Sequence, residues 1–163
     1  MTIVAAVDGE QIPDRVAEVG ADLAAQYDEE LVVVHVMSQD AYEERADSGS
    51  TANFGFPTAS GTDYGGTEGD SYPVDQANRD AAGVAEDVTE QTLEDLPADA
   101  RYVGRVGETV DKVLGVVDSV DDPTYLVVGG RKRTPVGKAV FGSATQSFLL
   151  NAEIPVVTVM TEE

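Results

Sequence analysis

The sequence predicts an α/β fold: an open, five-stranded parallel sheet with helices on both faces. Three observations carry that reading. Short runs such as residues 30–37 are apolar almost throughout, as strands are in parallel sheets covered on both sides. These runs alternate with stretches of helical spacing, which is the signature of βαβ units with right-handed crossovers. The chain has 163 residues, 42% of them apolar, so one sizeable core is expected. Aromatic content is 6% and Trp is absent, so that core is built from Val, Leu, Ile and Ala.

Residues 2–7 read as a buried strand, and Asp8-Gly9 as the turn after it. Pro13 suits the first turn of a helix, in which Val16, Gly20, Leu23, Ala24 and Tyr27 fall at helical spacing. Residues 30–37 are the second strand. Residues 47–75 contain six Gly, several Ser and Thr, and no Lys or Arg. They are expected to be a flexible Gly/Ser/Asp-rich insertion within a single domain spanning residues 1–163. A helix over 76–96 places Ala77, Ala81, Val84, Val88, Thr92 and Leu96 on one side. Residues 101–106 are the third strand. Gly107-Glu108-Thr109 opens a helix with Val110, Val113, Leu114 and Val117 inward. A fourth strand over 125–128 ends at Gly129-Gly130, a helix covers 143–150, and Pro155 introduces a last strand over 156–160.

The charge narrows the function classes. Thirty-one acidic residues face ten basic ones, a formal net charge of −21. The acids are dispersed over helices and loops, which fits a solvated surface of the halophilic kind. No general basic face exists, so nucleic-acid binding is not expected. There are no cysteines, which excludes disulfides, thiolate metal sites and cysteine nucleophiles. No run approaches a membrane span and no signal peptide is visible, so a cytoplasmic protein without membrane partners is expected.

Against that acidity, four of the ten cations (Arg131, Lys132, Arg133 and Lys138) crowd between Gly129 and Gly142. Such a segment is expected to hold an anion, best a nucleotide phosphate. Glycines permit close backbone approach. The amides opening the next helix, at Gly142-Ser143, lack internal acceptors and favour a phosphate. Ser143 adds a hydroxyl. At about 1 M salt the Debye length is ~3 Å, so this local cluster outweighs the distant acids. Ligands of open parallel sheets bind where the strand order reverses. Asp8 and Gly129-Gly130 share one crevice if the first and fourth strands are neighbours, which predicts the order 3-2-1-4-5. Asp8 then accepts from a ribose hydroxyl or an adenine amino group. Its alternative role is to cap the first helix.

These residues resemble the universal stress protein family. Its nucleotide-binding members carry a Gly, two residues, a Gly, nine residues, then Gly with Ser or Thr. Gly129 and Gly142-Ser143 match, while Lys132 replaces the middle Gly. The Asp8-Gly9 strand end, His35-Val36 and the run Pro155 to Val159 also match, so the likeness spans the chain apart from residues 47–75. The resemblance implies a Rossmann-like fold of the adenine nucleotide alpha hydrolase type. It implies that Ala6 and Asp8 line the base and ribose side, that Val36 contacts adenine, and that Val128 and Gly129 pass the ribose and base. Gly142, Ser143, Ala144 and Thr145 would bind phosphates. Gly130 and Lys132 belong to the same turn, Lys132 either displacing the usual conformation or supplying an ammonium.

The expected function is therefore binding of ATP, or another adenine nucleotide, in a dimeric stress-response or signalling module, with any Mg²⁺ arriving on the nucleotide. The alternative is a member that binds no nucleotide and acts only as a dimeric interaction protein. An efficient enzyme is not expected, since no nucleophile and base are paired. Gly137-Lys138 is not a P-loop, because Lys132 and Ala139 stand where Gly and Ser or Thr are needed. His35 reads as a packed, hydrogen-bonded residue. The acids at 8, 14 and 22 form no metal signature. The last strand exposes an apolar edge, a hazard removed by pairing with its own copy. It could also be an ordinary edge strand; the family resemblance implies a homodimer through Val156, Val157 and Val159.

Overall fold

The computed structural model describes residues 1–9, 12–52, 73–97, 99–132 and 143–162. The strands are β1 (Thr2–Ala6), β2 (Glu30–Met37), β3 (Arg101–Val106), β4 (Pro123–Lys132) and β5 (Val156–Glu162). The helices are α1 (Arg15–Tyr27), α2 (Gln39–Ala52), α3 (Val74–Thr92), α4 (Thr109–Ser119) and α5 (Ser143–Asn151). The strands form one sheet in the order β3-β2-β1-β4-β5, and every neighbouring pair is parallel. This is the predicted topology.

Alternation along the strands divides the core in two. Ile3, Ala5, Leu31, Val33 and Val127 face α1 and α3. Val4, Val32, Val34, Leu126 and Val128 face α4 and α5. Fully burying a side chain of this size contributes about 1.5–3 kcal/mol. These apolar runs therefore fix the register, because a one-residue slip would exchange the two faces. The inner faces of the helices match the spacing argument with small differences. In α4 Val116 joins Val110, Val113 and Val117 as buried, and Leu114 packs beside them. In α1 the buried set is Val16, Ala17, Gly20, Ala21 and Ala24, whereas Tyr27 is exposed and stacks obliquely on Tyr125.

Several expectations are corrected. Residues 47–52 and 74–75, expected within the insertion, are helical. Helix α2 runs to Ala52 and α3 begins at Val74, while residues 53–72 lie outside the described residues. Ser38 starts α2, its hydroxyl accepting from the Ala41 amide at 3.1 Å. Ala41 and Tyr42 pack on Met37, Ala77, Ala81 and Val106. Helix α3 stops at Thr92, not Leu96, because Leu93 turns into extended backbone and packs against the core. Leu96 is exposed.

One glycine shows how closely the layers approach. A Cβ on Gly104 of β3 would overlap the Asn78 carbonyl oxygen and the Ala82 amide, and stand 2.8 Å from the Ala81 carbonyl carbon. The backbone of α3 thus lies directly on the strand. No larger residue fits there without moving the helix.

Candidate nucleotide site

The chain leaves β1 for β2 on one side of the sheet and returns to β4 on the other. The strand order therefore reverses between β1 and β4, and it is in the crevice beyond the carboxyl ends at such a reversal that open parallel sheets bind ligands. Ala6 pairs with Val34 on one flank and Val128 on the other. Ala6, Val36 and Val128 all border the core half that faces α4 and α5. Ala6 and Val36 are half-buried, while Val128 is buried. The fold thus gathers on one face the three apolar residues that the family resemblance assigns to the base.

Asp8 stands two residues past Ala6 and is exposed. It is not the helix cap. That role belongs to Asp14, whose carboxylate accepts from the Val16 amide at 2.8 Å. Pro13 accordingly sits before the cap and not inside the helix. Asp14 is itself buried, and its own amide donates to the Thr92 hydroxyl at 2.9 Å. Burial pushes the Asp14 carboxyl above its ordinary value of 3.8; the amide bond from Val16 opposes this, and the charge of Asp8 adds to it. The signal for this cap lies in the sequence: Pro13-Asp14 before an apolar-periodic run is a recognisable helix start.

The Asp8-Gly9 turn is braced from behind. Gly9 has φ 81°, a left-handed conformation, and a Cβ there would meet Val84 Cγ1 at 2.7 Å and His35 Cε1 at 3.1 Å. His35 Nδ1 donates to the Val7 carbonyl at 3.1 Å. His35 is therefore the packed, hydrogen-bonded residue expected.

The other wall differs from the sequence reading. Gly129-Gly130 do not form a turn. Strand β4 continues through them to Lys132, pairing Gly129 with Val159, Gly130 with Met160 and Lys132 with Glu162. The glycines serve close approach and not positive φ. A Cβ on Gly129 would lie 3.2 Å from Val16 Cγ2. One on Gly130 would lie 2.8 Å from Met160 Sδ and 3.4 Å from Thr145 Oγ1. Gly129 is exposed and Gly130 buried, so of the pair it is Gly129 that offers open backbone to a ligand.

Helix α5 returns to the crevice at Ser143. Ala144 in its first turn is exposed. Thr145 is buried, and its hydroxyl donates to the Gly129 carbonyl at 3.0 Å. The expected phosphate contacts at Gly142, and the cations Arg133 and Lys138, lie outside the described residues. Among the described residues no cluster of three His, Cys, Asp or Glu is suited to a metal ion. No helix among them is long and apolar enough to cross a membrane. A separate hollow, lined in part by Leu114, Pro123 and Ile154, involves none of these residues.

An apolar floor, an exposed glycine backbone and an acidic acceptor together suit a flat heteroaromatic base with a sugar. A helix start at the far wall suits an anion.

Comparison with known proteins agrees with this architecture. Residues 1–160 match the universal stress protein family. No curated protein matches the chain. Among solved structures, a universal stress protein from Archaeoglobus fulgidus is 23% identical, with TM-score 0.56 and 97% of each chain covered. The universal stress protein UspA from Lactobacillus plantarum is 13% identical, with TM-score 0.57 over 98% of this chain and 97% of that one. A universal stress protein in complex with cAMP is 18% identical, with TM-score 0.51 over 99% of this chain and 97% of that one. At these identities the likeness speaks for the fold. With the sheet order and the family match together, the chain belongs to the universal stress protein family.

Proposed function

We propose that this protein binds an adenine nucleotide, ATP carrying Mg²⁺, in the crevice between β1 and β4. The observation that supports this most is the assembly of Ala6, Val36 and Val128 on one face at the reversal of strand order, with Asp8 at its rim. The adenine rests against the half-buried Ala6 and Val36, with the buried Val128 behind them, and Asp8 accepts from the ribose or the exocyclic amine. The exposed Gly129 backbone passes the sugar. The phosphates lie toward the start of α5 at Ser143 and Ala144, and toward Lys132 and Gly142. The relative in complex with cAMP supports an adenine nucleotide as the ligand class. The protein works as a cytoplasmic signalling module in a stress response, paired through β5 at Val156, Val157 and Val159, and not as an efficient enzyme. Its acidic surface, with net charge −21, suits a salt-rich interior.

The second reading is a dimeric interaction protein without a nucleotide. Lys132, in place of the motif's middle glycine, favours it.

Calorimetry in molar salt separates the two. Saturable binding of one ATP per chain, weakened by Asp8→Ala, supports the proposal. Absence of heat at millimolar ATP, while light scattering gives the mass of two chains, supports the second reading. The mass of one chain contradicts the pairing.

A further inference from the structure

Thr145 is assigned to the phosphates by family resemblance, but its surroundings give it another task. The side chain is buried, with 4% of its surface exposed. Its hydroxyl reaches back sixteen positions in sequence and donates to the Gly129 carbonyl at 3.0 Å. A hydroxyl has a single proton to donate, and here a carbonyl takes it. The same Oγ1 would lie 3.4 Å from a Cβ on Gly130, so it packs flat against the strand. Ala144, one residue earlier, is exposed.

From this geometry we propose that Thr145 is a positioning residue and not a phosphate ligand. It fastens the first turn of α5 to β4 and so sets the distance between the wall that passes the sugar and the amides that meet the phosphates. The inference rests on the nucleotide reading above. Because the fastening holds both walls, it bears on adenosine as well as on ATP. A direct phosphate ligand would bear on ATP alone.

The test is titration of wild type, Thr145→Val and Thr145→Ser with ATP and with adenosine, beside thermal unfolding of each. Valine keeps the shape and removes the hydroxyl's bond to the Gly129 carbonyl, a part-buried bond whose loss costs up to about tenfold. We expect Thr145→Val to weaken ATP and adenosine alike by about that factor, well below its unfolding temperature, and Thr145→Ser to restore both. Loss confined to ATP would overturn the inference in favour of a phosphate contact. Unchanged affinity for both ligands, with only a lower unfolding temperature, would overturn it in favour of a purely structural role. A wild type that binds neither ligand removes the nucleotide reading itself, which separates that failure from the others.

Discussion

Two glycine-bearing strand ends face the same crevice, and they use glycine for opposite reasons. Just past β1, Gly9 has φ 81° and lies outside the ladder. At the end of β4, Gly129-Gly130 stay in the ladder and the strand runs on to Lys132. The first glycine is required by its backbone angle. The second pair is required by neighbours, Val16 against Gly129 and Met160 with Thr145 against Gly130. A glycine in a sequence therefore announces a constraint without saying whether torsion or space imposes it.

That contrast can be broken by substitution. Gly9→Ala meets both constraints together, since the angle is unfavourable for an L-residue and Val84 stands 2.7 Å from the new methyl. We expect a loss of about 2–4 kcal/mol in denaturant unfolding, the largest effect in this set. Gly130→Ala adds a methyl against the flexible end of Met160, 2.8 Å away. It should cost less, about 1–2 kcal/mol, and pairing it with Met160→Ala should recover part of the loss. A Gly9→Ala variant no less stable than Gly130→Ala would show that the torsional argument fails.

The smallest effects concern Asp14, which starts α1 beside the Asp8 turn. Its carboxyl holds a proton more tightly when folded than unfolded, because burial raises it above 3.8. The sign follows by linkage. Its contribution is most favourable below the unfolded value and is lost as pH rises through the raised folded value. Asp14→Asn keeps an oxygen for the Val16 amide and removes that dependence. Stability measured against pH should therefore fall less for Asp14→Asn than for wild type as pH rises from 3.8 through that window. Asp14→Ala loses the cap itself and should cost about 1 kcal/mol at neutral pH. If Asp14→Asn and wild type show the same pH profile, burial does not govern this carboxyl.

The same comparison marks what the sequence made legible. Strand order was readable because Asp8 and Gly129-Gly130 both carry chemistry at strand ends, and only one common topology brings them together. The two-faced core was readable from strands such as residues 30–37, apolar on both sides. Helix α2 was not, because its described packing rests on little more than Ala41 and Tyr42 against Met37, Ala77 and Val106. So weak an apolar stripe does not stand out from polar loop sequence. The continuation of β4 was hidden because glycines are depleted in strands. In the fold they pair with β5, matched residue for residue through Glu162. The bond of the Thr145 hydroxyl to the Gly129 carbonyl was hidden for a related reason. Its position in the motif is visible in sequence, whereas the carbonyl it faces is set by how α5 lies on β4.

The crystal structure of the protein grown with ATP and Mg²⁺ in molar salt tests the central claim most directly. The account predicts an adenine lying against Ala6 and Val36 and passing Gly129, with phosphates at the start of α5 and Thr145 still bonded to Gly129. Nucleotide density elsewhere on the molecule, or an empty crevice at saturating ATP, would contradict it.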